Sequence, residues 1–258
     1  MVDILQGYGA VPDPRLTLIL SKSQAWVQGK DGAEEWKGVP NGLPVTELSL
    51  PEYDNNHNSC IWGYMWGYDW NSAEKGDNIS KPKTDADFTP LGLMNYSEVC
   101  FLKAEAALRG WQGAGDAKTN YENGIRASFE EMRANAPKDS YSKSNDDKYI
   151  SEGNVAWNNA DSFEAKLEKI ITQKWIGIYP NSEEAWAEFR RTGYPKLNPV
   201  KQSLEPTINP KNGEFIKKLR YVDNELSNNK EYATDPTLNG GQGDGLSVRV
   251  WWDTARYK

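Results

Sequence analysis

Between residues 117 and 132 the apolar and small side chains recur as Ala117, Tyr121, Gly124, Ile125, Ser128, Phe129 and Met132. That i, i+4, i+7, i+8 spacing marks one face of a helix. Lys118, Glu122, Arg126 and Glu130 fall off the stripe and predict a wet opposite face. Asp116 stands where an N-cap is needed. Upstream, residues 93–109 are apolar on most sides, as in a helix packed between neighbours, and Gly110 occupies the usual place of a left-handed cap. A turn over 111–115 joins the two, so 91–135 is expected to form a helical hairpin of tetratricopeptide (TPR) type.

A second pair of helices is expected over 161–195. Phe163, Leu167, Ile170, Ile171, Trp175 and Ile178 form an apolar stripe, with Asp161 and Glu164 placed as a capping box and Pro180 as the stop. Asn181 and Glu184 repeat the capping pattern ahead of Trp186 and Phe189, and Gly193-Tyr194-Pro195 closes that helix. The rest is less regular. Residues 1–90 are punctuated by Asp13-Pro14, Asn41-Gly42, Leu43-Pro44 and Leu50-Pro51, which predicts loops with at most a short helix or strand. Residues 134–160 are polar and turn-like. The segment 196–258 returns to loops and closes on Leu246 to Asp253, a candidate short strand. The expected class is mainly α, with TPR-like hairpins, extensive irregular loops and few short strands, in a single domain over 1–258.

One loop breaks the monotony. Trp62, Tyr64, Trp66, Tyr68 and Trp70 alternate with other residues, so an extended backbone would put all five rings on one face. The polar run just before them contains Asp54, Asn56, His57 and Asn58. Asp54, Asn56 and Asn58 imitate the opening of a calcium loop, but Ser59 and Met65 stand where that loop needs Gly and a bidentate Glu.

Composition narrows the chemistry. The chain has 258 residues, eleven Trp and thirteen Tyr against six Phe, and a formal net charge of −7. Aromatics with a polar edge suit surfaces that are apolar at one end and wet at the other. The acidic balance, with no basic run, argues against nucleic acid as a partner. The single histidine, His57, has no nucleophile motif beside it, and no zinc-binding spacing occurs. The adjacent acidic pairs Glu34-Glu35, Glu130-Glu131 and Glu183-Glu184 do not face one another as glycosidase carboxylates must. Gly240 to Gly245 does not fit a dinucleotide fingerprint, since Leu246 stands in the place of its last glycine. Neither catalysis nor a cofactor is expected. Cys60 and Cys100 could pair in an oxidising compartment, although a buried free thiol is the commoner reading for Cys100. No apolar run is long enough to span a membrane as a helix.

Two readings of the aromatic stripe remain. Indoles stack on the flat C–H faces of pyranose rings while nearby amides and carboxylates take the hydroxyls. On that reading Trp62, Tyr64, Trp66, Tyr68, Trp70, Asp54 and Asn56 bind ligand. Alternatively, the stripe packs on the helical layer as core or interface.

Several phrases occur together: Asp13-Pro-Arg-Leu16, Pro40-Asn-Gly-Leu43, Tyr96 to Trp111, Ile171-Thr-Gln-Lys-Trp-Ile176, Glu184-Ala-Trp-Ala-Glu-Phe-Arg-Arg-Thr-Gly-Tyr-Pro195, Arg220 to Glu225 and Val248-Arg-Val-Trp-Trp-Asp253. In this order they resemble the SusD/RagB family of nutrient-binding outer-membrane lipoproteins of Bacteroidetes. The resemblance spans essentially the whole chain. It implies an α-rich fold in which TPR helices support an irregular ligand-binding part. It also implies capture of oligosaccharides or other nutrients at the cell surface, without catalysis, in partnership with a SusC-like TonB-dependent transporter. Family members are usually about twice as long and begin with a signal peptide and a lipidated cysteine, so the chain corresponds to a C-terminal half. Two further expectations follow: a TPR-like scaffold for a protein or peptide as the alternative function, and self-association through uncovered helix faces.

Overall fold

The computed structural model describes residues 1–54, 56–59, 92–134, 136, 141–204, 207–233, 235 and 237–253. The chain is mainly helical, as expected, and divides into two compact units. One comprises Met1–Val39 and Thr46–Pro180, the other Pro40–Val45 and Asn181–Lys258. Among the described residues the only β pairing is an isolated bridge between Gly9 and Gly153.

The first unit is built on the predicted hairpin. Its short helices are α1 (Val2–Gly7), α2 (Leu16–Ile19) and α3 (Gln24–Val27). After α4 (Val45–Leu48) and a 3-10 turn (Pro51–Tyr53) come α5 (Tyr96–Leu108) and α6 (Ala117–Arg133). Asp116 caps α6 by accepting the Thr119 amide at 2.8 Å, and Gly110 takes φ 76° after α5. The stripe of α6 is buried from Tyr121 to Met132. Helix α5 begins three residues later than its apolar pattern suggests, so Leu93 and Met94 precede it and are exposed.

Close approach holds the hairpin to α8 (Phe163–Gly177). The Phe101 ring of α5 lies over Gly124 of α6, where an added Cβ would sit 2.7 Å from the ring. On its other edge, a Cβ at Gly177 of α8 would come within 3.3 Å of the same ring. Two glycines at helix positions that otherwise favour alanine thus admit one aromatic ring between three helices. The N-cap of α8 is Ser162, one residue beyond the expected Asp161. Phe163 is consequently exposed, and its ring lies beside Arg109. The second half of α8 is buried apart from half-buried Trp175, and its buried residues include Thr172, Gln173 and Lys174.

Those polar residues meet partners that sequence pattern did not reveal. Residues 1–20 form a core segment instead of the expected loop: Val2, Leu5, Leu16, Leu18, Ile19 and Leu20 pack with Met132 and Ile176. Fully buried Arg15 donates to both oxygens of Asp13 at 2.8 and 2.6 Å, to Ser128 Oγ at 2.8 Å and to Gln173 Oε1 at 2.6 Å. Tyr149 donates to Asp13 Oδ2 at 2.6 Å. Tyr149 belongs to α7 (Asp146–Ser151), a helix inside the stretch read as turns. Its sequence carries too few apolar positions for a periodic signal. Burial pulls the Arg15 guanidinium down, but the Asp13 carboxylate more than offsets this and leaves it raised. Burial likewise pushes the Tyr149 phenol well up. Lys174 and Glu98 form a second buried pair at 3.6 Å, linking α8 to α5.

The second unit centres on α9 (Ser182–Thr192), capped at one end by Asn181, which accepts the Glu184 amide at 3.2 Å. At the other end Gly193 sits at φ 77° and donates to Phe189 O at 2.7 Å. Short helices follow as α10 (Asp223–Asn228), α11 (Lys230–Ala233) and α12 (Leu238–Gly241). Gly42 belongs to this unit. At φ 76°, a Cβ there would lie 2.5 Å from the carbonyl oxygen of Gln202, so the Asn41-Gly42 turn needs glycine. The candidate strand over 246–253 is not formed. Asp253 instead turns back to accept from Arg249 at 2.6 Å and donates its amide to Val250 O. A lone short segment with no partner strand has no ladder to stabilise it.

Candidate ligand-binding site

The polar loop ahead of the aromatic run is held from within and from one neighbouring segment. Asp54 Oδ1 accepts the amides of Asn56 and His57, each at 2.9 Å, and lies 2.7 Å from His57 Nδ1. The hydrogen bond from His57 and the two amide bonds together hold the Asp54 carboxyl below the usual carboxylate range. Asn58 Nδ2 donates to Asp54 O at 2.8 Å. Across from it, Ala25 N donates to Asn56 O at 2.8 Å and Ser59 N to Lys37 O at 2.8 Å, while Lys37 N returns a bond to Ser59 Oγ. The carboxylate therefore acts as an Asx turn that folds the loop, and the main chain pins it to residues 23–37.

Two aromatic rings that sequence reasoning did not single out stand in this region. Trp26 is 40% exposed on α3, which Ser23 caps. Lys22 Nζ lies over its indole at 4.7 Å and pairs with Glu35 at 3.2 Å. Tyr53 carries Lys37 Nζ at 5.7 Å over its ring. Ring faces flanked by ammonium groups are places where an aromatic platform meets polar donors. The only sequence signal was the Ser23 cap beside Trp26, which is too short to separate from a core turn.

Of the expected site residues, Asp54 and Asn56 lie together in this loop, Asp54 half-buried and Asn56 exposed. Trp62, Tyr64, Trp66, Tyr68 and Trp70 lie outside the described residues, as does Cys60. Cys100 is a buried free thiol. Among the described residues no group of three or more His, Cys, Asp or Glu could hold a metal ion. No described helix is long and apolar enough to cross a membrane.

The profile of the SusD-like family, described as Susd and RagB outer membrane lipoprotein, matches residues 1–253. The chain belongs to the SusD-like family. Solved structures agree. A SusD-like protein from Bacteroides thetaiotaomicron VPI-5482 is 28% identical with a TM-score of 0.65, over 99% of this chain and 50% of its own. A SusD homologue from Bacteroides vulgatus ATCC 8482 is 28% identical with a TM-score of 0.68, over 100% and 49%. A chitin-binding SusD homologue from Flavobacterium johnsoniae is 30% identical with a TM-score of 0.64, over 94% and 47%. Comparison with curated protein sequences gave no match. The SusD-like chain thus spans about half the length of the solved structures it matches.

Proposed function

We propose that this SusD-like chain is a non-catalytic nutrient-binding portion, with oligosaccharide as its ligand, working at the outer-membrane surface beside a SusC-like TonB-dependent transporter. The observation that carries this reading is the match along nearly the whole chain to a chitin-binding relative, within a family described as outer-membrane lipoproteins. The two compact units are then parts of one binding domain over 1–258. The pinned Asp54–Ser59 loop presents the segment that bears Trp62, Tyr64, Trp66, Tyr68 and Trp70, and those rings with Asp54 and Asn56 contact the sugar. Trp26 and Tyr53, each with a lysine over its ring, are two further rings near that loop.

Calorimetry against chitin oligosaccharides and a wider glycan panel tests the proposal. Millimolar or tighter binding is expected for at least one glycan, and Trp66→Ala should weaken it about tenfold, the loss of one stacking face. Binding that survives removal of all five rings would sink the stripe. Release of reducing sugar from any bound glycan would overturn the non-catalytic assignment.

A second reading rests on exposed apolar residues of α5 and of the turn just before it. Leu93 is 84% exposed and Tyr96 66%, with Met94 and Leu102 exposed beside them. TPR hairpins bury such faces only by stacking on neighbours, so this face favours an interaction scaffold or self-association. Concentration-dependent sedimentation, abolished by Tyr96→Asp with Leu102→Asp, would support it.

A further inference from the structure

Asparagine is followed by glycine four times in the chain, at 41–42, 123–124, 212–213 and 239–240. Glycine has no Cβ to shield its main-chain nitrogen, so the preceding carboxamide can be attacked by its own backbone wherever the chain is free to bend. The first three pairs sit in different surroundings. Asn123-Gly124 lies inside the 17-residue helix α6, and the Phe101 ring closes over Gly124, 2.7 Å from where a Cβ would stand. Asn41-Gly42 is exposed but clamped. Asn41 O accepts the Lys201 amide at 2.9 Å, and a Cβ on Gly42 would meet Gln202 O at 2.5 Å. Asn212-Gly213 has neither restraint. Asn212 is exposed at the end of a single 3-10 turn (Pro210–Asn212), a weaker hydrogen-bonded form than the α-helix. Its carboxamide makes no hydrogen bond among the described residues. Gly213 takes φ 71°, and a Cβ there would meet nothing within 4 Å. The turn is bonded to itself: Asn212 N and Glu214 N donate to Asn209 O at 3.1 and 3.4 Å, and Asn209 N donates to Glu214 Oε2 at 2.7 Å.

We propose that Asn212 is a self-modification site, the one of these three pairs that deamidates in the folded chain. The Gly213 nitrogen gives its proton to hydroxide and attacks Asn212 Cγ. The new N–Cγ bond forms as the Cγ–Nδ2 bond breaks, and ammonia leaves from a five-membered succinimide. Water then opens either ring carbonyl, giving aspartate or isoaspartate, so the overall reaction consumes one water and releases one ammonia. Both products place a carboxylate next to Lys211. Isoaspartate also inserts a methylene into the main chain between residues 212 and 213. That insertion falls within the loop closed by the Glu214–Asn209 bonds, so the isoaspartyl turn loses them. The same insertion at Asn41 would break a contact between distant segments, and at Asn123 a helix, which is why those two pairs resist it. The site is independent of the ligand proposed above.

The test is peptide mapping by mass spectrometry after the intact chain has stood in mildly alkaline buffer, folded or in urea. Digestion is done at acid pH, where cyclisation is slow. In urea the three pairs should react at similar rates, since each has glycine next in sequence. In the folded chain Asn212 should stay within about threefold of its rate in urea. Asn41 and Asn123 should fall at least about tenfold behind it, because they react only from locally opened states. Chromatographic separation should show isoaspartate as well as aspartate at 212. Asn212→Gln, which cannot close the five-membered ring, should remove the corresponding acidic form. Folded-state Asn212 reacting no faster than Asn41 or Asn123 overturns the assignment. The same ranking in urea overturns its structural cause.

Discussion

Arg15 of the first unit and Arg190 of the second are held by different physics. Arg15 is fully buried and satisfied by Asp13, Ser128, Gln173 and Tyr149, four residues from four separate parts of the chain. Arg190 is half-buried and lies between two indoles, its guanidinium carbon 3.7 Å from the Trp186 ring centre and 4.7 Å from that of Trp252. Trp186 Nε1 in turn donates to Ile216 O at 3.1 Å. A guanidinium without water needs geometrically matched acceptors on nearly every N–H, whereas one that keeps some water combines ring faces with backbone acceptors, here Trp186 O at 3.4 Å and Lys217 O at 3.2 Å. The first arrangement joins distant segments and tolerates no vacancy. The second ties α9 to the 246–253 turn.

The sharpest way to break this contrast is to remove the buried guanidinium. Arg15→Met leaves Asp13 buried without its partner and should cost about 3–5 kcal/mol in denaturant unfolding of the first unit. Replacing both, Asp13→Leu with Arg15→Met, should recover part of that loss; a double variant worse than the single would show that Asp13 is not the uncompensated group. Next in size is Gly124→Ala, which drives a methyl into the Phe101 ring. About 1–3 kcal/mol of destabilisation is expected, although alanine at an exposed helix position would stabilise by about 1 kcal/mol, so the sign alone tests the packing. In the second unit Arg190→Met should cost only about 0.5–2 kcal/mol, and a loss as large as that of Arg15→Met would erase the distinction between the two arginines. Smallest is the pH response of the Asp54 loop. Its carboxyl is held below the unfolded value of about 3.9, so the stabilisation is complete above that value and is lost as pH falls through the lower, folded pKa. Hydrogen exchange at the His57 amide should therefore quicken below about pH 4, and Asp54→Asn should flatten that dependence.

The helices with long periodic stripes were legible because burial on one face writes itself into spacing. Asp116, Asn181, Gly110 and Gly193 act as caps where sequence placed them. Short elements were not legible. Helix α7 offers Tyr149 and Ile150 alone as buried residues, and the start of α8 slipped by one residue because Asp161 and Ser162 are both competent caps. In the candidate site, Asp54 and Asn56 were singled out as polar ligand groups, and the structure adds that Asp54 folds its own loop. Trp26 and Tyr53 escaped notice because a single aromatic in a loop carries no pattern.

What the sequence determined by itself was the hairpin, the capped helix α9 and the family. These depend on local periodicity and on short motifs whose order along the chain is preserved. Tertiary structure alone decided that residues 1–20 are core and that Arg15 closes a network with Ser128, Tyr149 and Gln173. Each of these turns on which residues distant in the chain come within a few ångströms. Polar side chains buried by such contacts look, in sequence, the same as polar side chains in water.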